Sequence, residues 1–382
     1  MEAVLDKKVK KKRSFKKVGI ILVLVLIAAL LILNAEYIIE FLPLPTVSEY
    51  NISADETRQY IPFENYILIC DRNGISAVDK MGREKWRVSE TLDIPVVAVS
   101  KNEIAAAATG GTVIFRIDKN GKYTSFLTDN PITNLKLTDN GILLAVMDKK
   151  MYNGGVTVFD KKGNSLFSWW AGENRFIDAA ITKDKILAVS SLLTDNNSIK
   201  TEIAYFNLNK SSKKYTSEKF DGLINCIKWI TDNKLITVSE NKVAVYDTNG
   251  RKKWTSDFDK SIINYYDIEN KNNLVFVSGG GAYDKNMKVM SLNENGKPNG
   301  TFGYKDEIIQ MKANAETIMF VANDGVTLVN KSGKRFRTSN EAGSPYDACL
   351  FKHGNRVFAD CGNTAKLFYC GKAVHIGENN GT

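Results

Sequence analysis

Only two histidines, His353 and His375, occur in the 382 residues. A Ser-His-Asp or Cys-His device would have to use one of them, and neither sits in the elbow that exposes a nucleophile. His353 precedes Gly354-Asn355 and reads as a turn residue. The five cysteines (Cys70, Cys226, Cys349, Cys361 and Cys370) form no C-x-x-C, so a zinc site lacks its ligands. If 353–355 and 362–364 are turns, antiparallel pairing sets Cys361 opposite about Asp347 and Cys370 opposite about Arg356. No two thiols then face each other at bridging distance, and buried free thiols are expected. Asp71, Asp118, Asp139, Asp160 and Asp247 stand where a turn already accounts for a carboxylate. Asp139-Asn140-Gly141 lacks the rest of a calcium loop, and Ser278-Gly-Gly-Gly281 lacks the Lys and the helix of a phosphate cradle. No catalytic, cofactor-binding or metal-binding residue is assigned, and no cofactor is expected.

The elements around these residues form a repeat. Val243–Trp254 (V-A-V-Y-D-T-N-G-R-K-K-W) alternates apolar residues up to an Asp, places Gly three positions later and a large aromatic seven positions after the Asp. Asp79, Gly82 and Trp86 repeat the scheme, as do Asp160, Gly163 and Phe167, and Asp247, Gly250 and Trp254. The step recurs at Asp118/Gly121, Asn293/Gly296 and Asn330/Gly333. Alternation marks a strand with one buried face, the D/N-x-x-G step marks a hairpin end, and the aromatic on the returning strand can fill the space between sheets. Successive markers at 79, 118, 160, 207, 247, 293 and 330 lie a mean of about 42 residues apart, the period of a four-stranded propeller blade.

The fold expected is all-β: a propeller over 57–376 of eight blades, seven being the alternative. Asn207 has no Gly at the third position, and the last unit shortens its turn to Cys370-Gly371. That last unit runs 346–351, 356–360 and 365–369, with 373–376 as its outermost strand. A pair of β-sandwiches would also show regular strands, but not this period over some 300 residues.

The first seventeen residues carry eight basic side chains against Glu2 and Asp6, a charge of +6; Val18–Leu33 then runs apolar without a break. The expectation is a basic cytoplasmic tail (1–17), a transmembrane helix (18–39) retained as an anchor, a stalk (40–56) and an external propeller, with 377–382 as a tail. A cleaved signal peptide would need small residues before the cut, and Leu33 stands where one belongs. The whole chain is +9, which leaves +3 for the rest, spread without a basic block, so nucleic acid is not an expected partner.

Units three, four and six insert 148–155, 192–200 and 279–287 between their second and third strands. These connections all emerge on one face of a ring, where they bring Tyr152, Asn153, Asp195, Asn196, Asn197, Tyr283 and Asp284 as candidate partner-binding residues.

At Ala77–Trp86 (A-V-D-K-M-G-R-E-K-W) and Val245–Trp254 (V-Y-D-T-N-G-R-K-K-W) the chain resembles the quinoprotein-like propeller repeat, a WD40-like family. That resemblance covers about 57–376, and it implies a propeller whose Trp docks between blades. The family includes pyrroloquinoline-quinone alcohol dehydrogenases and non-enzymatic relatives such as the propeller lipoprotein of outer-membrane assembly. The chain also looks like membrane-anchored propeller proteins of low-GC Gram-positive bacteria. It lacks the dehydrogenases' adjacent cysteine pair and a Glu-Asn-Asp set for the cofactor's calcium, so no catalytic residue is carried over. The expected function is a non-catalytic scaffold, anchored in the cell membrane, that binds a protein or cell-envelope partner. An extracytoplasmic enzyme with an axial site, carbohydrate-active or quinone-dependent, and an envelope sensor are the alternatives.

Overall fold

The computed structural model describes residues 19–30, 48–52, 57–195, 198–210, 214–216, 219–258, 261–280, 286–334, 336–340 and 342–370. Two compact units separate at 45/46. In the first, residues 19–30 of the expected membrane span form an α-helix, and the remainder of 18–39 lies outside the described residues. Among the described residues no helix is long and apolar enough to cross a membrane.

The second unit is a closed ring of eight antiparallel sheets. Blade one consists of Gln59–Phe63, Tyr66–Asp71, Gly74–Asp79 and Glu84–Val88, blade two of Pro95–Val99, Glu103–Ala108, Val113–Asp118 and Tyr123–Leu127. Blade three is Ile132–Leu137, Leu143–Met147, Gly155–Phe159 and Ser165–Trp170. Blade four has Arg175–Ile181, Ile186–Asp195, Ser198–Asn207 and Lys214–Thr216, with Phe220–Asp221 also pairing its third strand. Blade five is Ile224–Thr231, Lys234–Ser239, Lys242–Tyr246 and Lys252–Asp257, and blade six Ile262–Asp267, Leu274–Gly279, Met287–Leu292 and Pro298–Tyr304. Blade seven follows with Gln310–Ala313, Thr317–Ala322, Gly325–Asn330 and Phe336–Ser339.

Blade eight differs from expectation. Asp347–Leu350, Arg356–Asp360 and Thr364–Tyr369 come from the end of the chain, but the outermost strand is Ser48–Asn51. Ser48 stands opposite Leu367 and Asn51 opposite Thr364, and the Ile52 N–H continues the ladder to the Asn363 carbonyl at 3.0 Å. Four residues of the expected stalk thus close the ring; 373–376, expected in that place, lie outside the described residues. The physical reason is an unpaired edge: Thr364–Tyr369 would otherwise expose a row of backbone donors and acceptors.

Eight apolar clusters fill the eight junctions between adjacent blades. Phe63, Leu68 and Ile75 of blade one meet Ile104 and Ile117 of blade two. At the closing junction, Phe351, Phe358 and Leu367 of blade eight meet Tyr60, Ile67 and Val78 of blade one. Second strands are buried on both faces, as Leu143–Met147 shows, because both pack against neighbouring blades; outermost strands such as Ser165–Trp170 are largely exposed. No disulfide joins the blades: all five cysteines are free, with Cys70, Cys349 and Cys370 buried but Cys226 and Cys361 only half-buried. The register of blade eight is one residue from that expected, with Asp360 opposite Asp347 and Tyr369 opposite Arg356.

Candidate functional site

In a four-stranded antiparallel blade the connections alternate between two faces. One face, here the turn face, carries the first-to-second and third-to-fourth turns; the loop face carries the second-to-third connections and the crossings from blade to blade.

On the turn face the carboxylates of the repeat are consumed. Asp79 accepts from the N–H groups of Met81 and Arg83 at 2.8 and 3.0 Å, and its carbonyl accepts the Gly82 N–H. Asp118, Asp160 and Asp247 repeat this pair of backbone bonds. Burial opposes the charge on Asp79, but the Arg83 N–H, the Lys85 ammonium, the Arg83 side chain and the Met81 N–H overcome it and hold the carboxyl at about 2. On the loop face Asp71 caps the Asn73 N–H, whereas Asp139 on the turn face bonds across the junction to the Lys101 N–H and ammonium of blade two. Asp71, Asp79, Asp118, Asp160 and Asp247 thus serve turn formation, and Asp139, expected to do the same, instead joins two blades.

The axis holds charged residues that the repeat markers do not reveal. Lys136, Lys228 and Lys312 occupy one register level of the innermost strands of blades three, five and seven. They stand opposite Leu144, Ile236 and Met319, which stand opposite Val158, Val245 and Leu328, each two residues before its turn marker. Lys136 pairs with Asp178 of blade four at 2.6 Å, and Lys228 pairs with Glu269 of blade six. The Glu269 side chain is 77% exposed, yet it is held below the usual carboxylate range by Lys228 first, with Lys136 and Lys312 acting in the same direction. Glu269 follows the innermost strand of blade six, in its first-to-second turn, where its exposed carboxylate reaches Lys228 of blade five.

Innermost strands are edges, and side chains from the preceding blade take up their free amides. Asp178 accepts the Ile227 N–H of blade five at 3.0 Å and Asp267 the Ala313 N–H of blade seven at 2.9 Å; Gln310 accepts the Ala348 N–H of blade eight at 3.0 Å. Asp178 and Glu269 are each paired with a lysine of a neighbouring blade. Cys226 is beside them, but burial, then Asp178, pushes its thiol up to about 11, far from a reactive thiolate. Among the described residues no group of histidine, cysteine and carboxylate side chains could hold a metal ion.

Of the candidate residues read from the sequence, the loop face carries Tyr152, Asn153 and Asp195, and it treats them differently. Tyr152 is exposed, its ring 6.0 Å from Trp170 with the Lys149 ammonium over both rings. Asn153 is structural: its N–H donates to the Ala171 carbonyl at 2.9 Å and its side-chain amide to Gly172 at 2.7 Å. Asp195 ends a strand opposite Ser198, so the expected loop 192–200 is instead the tip of a long hairpin. The pairing of Ile186–Asp195 with its partner passes Leu192, the last residue that the innermost strand covers, by three residues, about 10 Å at 3.3 Å each. Asn196, Asn197, Tyr283 and Asp284 lie outside the described residues.

Exposed apolar side chains are concentrated on this face. Outside the helix, nine of the thirteen large exposed apolar side chains among the described residues lie there. Ile94, Leu223, Ile262, Ile309 and Tyr346 precede or begin innermost strands and so rim the mouth of the channel; Tyr346 is 79% exposed. Leu127, Met151, Tyr152 and Ile199 stand further out, Met151 at 93% exposure and Ile199 on the long hairpin. The rim lay hidden in the sequence because single apolar residues before a strand look like core. The three lysines escaped because the innermost strand carries no Asp-Gly marker; aligning innermost strands by that marker would have found them.

A family model described as a family of unknown function (DUF5711) matches residues 40–358. A search of the curated proteins finds no match. Among solved structures the chain is similar to BamB from Moraxella catarrhalis at 13% identity and a TM-score of 0.53, over 84% of this chain and 98% of that one. It is similar to Chaetomium thermophilum Sqt1, solved bound to the N-terminus of ribosomal protein L10, at 10% identity and a TM-score of 0.53, over 85% and 100%. A eukaryotic initiation factor matches at 10% identity and a TM-score of 0.52, over 81% and 82%. At these identities the likeness is one of fold.

Proposed function

Since the chain belongs to that family of unknown function, DUF5711, membership brings no activity with it, and we propose that its propeller is a non-catalytic scaffold whose loop face docks a protein or cell-envelope partner. The carrying observation is the gathering of exposed apolar side chains on one face, nine of thirteen, around the channel mouth and the blade-four hairpin. A face on which exposed apolar side chains gather is a mark of an interaction surface. The rigid closed ring holds the rim and the hairpin in fixed relation, which lowers the ordering cost of binding. The protein-bound Sqt1 structure is consistent with such a use of this fold.

The basic run over 7–17 followed by the apolar stretch 18–33, within which 19–30 are helical, supports an anchor with the propeller outside the cell. Anchoring would raise the effective concentration of the propeller toward envelope partners.

Photo-crosslinking in cells tests the docking face. Crosslinker placed at Met151, Leu223 or Tyr346 should give an adduct of discrete mass, and crosslinker at Met81, Asn120 or Asn295 on the turn face should not. Equal adducts from both faces, or adducts from the turn face alone, would overturn the assignment.

A further inference from the structure

We propose that the channel mouth on the loop face receives an acidic segment of a partner protein, its apolar side chains resting on the rim and a carboxylate pairing with Lys312. The inference deepens the docking reading of that face and rests on it. Lys136 and Lys228 are engaged by Asp178 and Glu269. Lys312, at the same level and exposed, makes no hydrogen bond or ion pair among the described residues. The other carboxylates on either side of it are occupied. Asp267 accepts the Ala313 and Glu269 N–H groups at 2.9 and 3.0 Å, Asp347 accepts the Gln310 amide, and burial pushes both towards the neutral acid. What remains at this level is one exposed ammonium that makes no hydrogen bond or ion pair among the described residues and lies within electrostatic reach of Asp267, Glu269 and Asp347.

The distance between rim and ammonium chooses the ligand. Ile309 precedes Lys312 by three residues, about 10 Å along a strand. A bare anion on Lys312 would leave Leu223, Ile262, Ile309 and Tyr346 uncovered. An extended peptide of three or four residues spans that depth, placing an apolar side chain at the mouth and an acid below it.

The test is selection of a displayed random nonapeptide library on the full chain in detergent, followed by affinity measurement on Lys312→Gln and Ile309→Ser. Lys312 is exposed and makes no ion pair among the described residues, so K312Q should leave the melting temperature unchanged. The inference expects peptides rich in Asp or Glu beside apolar residues, bound at least tenfold more weakly by K312Q, the loss shrinking in high salt. Peptides that depend on Ile309 but lack an acidic excess, or bind K312Q equally, would overturn the role of Lys312 and leave the docking face standing. Dodecanoate binding sensitive to K312Q, with no acidic peptides selected, would make the occupant an amphiphile and overturn the peptide. No enriched peptide family would count against the docking reading as well.

Discussion

The indole of Trp254 lies face-on against Gly296 of the next blade, so close that a Cβ built on that glycine would stand 2.7 Å from the ring. Its N–H donates to the Glu294 carbonyl at 3.2 Å. Trp86 repeats the contact on Gly121 and Lys119, and Phe126 and Phe302 repeat it on Gly163 and Gly333. The turn glycine therefore has two tasks: it adopts the positive φ of the hairpin end, and it leaves room for the aromatic of the preceding blade.

Substitution separates those tasks. Gly296→Ala meets both the ring and a φ of +74°, and it should cost about 2–4 kcal/mol in urea unfolding. Gly110→Ala has a φ of +76° with nothing within 4 Å of the new methyl, and it should cost only about 1 kcal/mol. Equal losses would show that the aromatic contact contributes nothing.

Trp254 is half-buried rather than enclosed. Trp254→Ala should therefore fall at or below the lower part of the range for buried aromatics, about 2–3 kcal/mol, with the bond to Glu294 included. A loss under about 1 kcal/mol would remove its role as a dock.

Ring closure makes the segment before the first blade part of the fold. Deleting Ser48–Asn51 from the full chain should lower the melting temperature by several degrees and promote self-association through the freed edge of Thr364–Tyr369. A deletion variant with unchanged melting and monomer fraction would argue against the closure.

Acid should weaken the ring through its turns. The folded-state carboxyl of Asp79, near 2, lies below its ordinary 3.8, so its contribution to stability is present above about pH 4 and lost as pH falls through that interval. Asp160 and Asp247 shift in the same direction. Asp79→Asn should lose stability at neutral pH and show a shallower decline between pH 4 and 2 than the parent; parallel curves would contradict this.

Thiol titration should find five free cysteines in denaturant without reductant. In the folded chain at pH 8 alkylation should be slow even at half-buried Cys226, whose thiol sits near 11. A count of three or one would reveal a disulfide.

The fold was legible wherever physics leaves a local signature. Asp or Asn, Gly and the alternating strand before them lie within a few residues, so the blades could be counted. The closing strand was not legible, because what specifies Ser48–Asn51 is the unpaired edge at Thr364–Tyr369, more than 300 residues later. The blade-four hairpin was read as a loop because Thr194 to Thr201 is polar apart from Ile199, and backbone pairing rather than alternation defines it. Of the candidate binding residues, Tyr152 is presented on the loop face, while Asn153 is occupied in bonding the chain to itself. The axial lysines and the rim emerged only when separate innermost strands were brought to one level.

The central claim is that the rim of the loop face binds the partner. Its most direct test is the yield of crosslinked adduct from Met151 in the full chain carrying Leu223→Ser, Ile309→Ser and Tyr346→Ser together. All three side chains are exposed, so the variant should melt as the parent does. The account predicts at least a tenfold loss of adduct in that folded variant; undiminished adduct would contradict it.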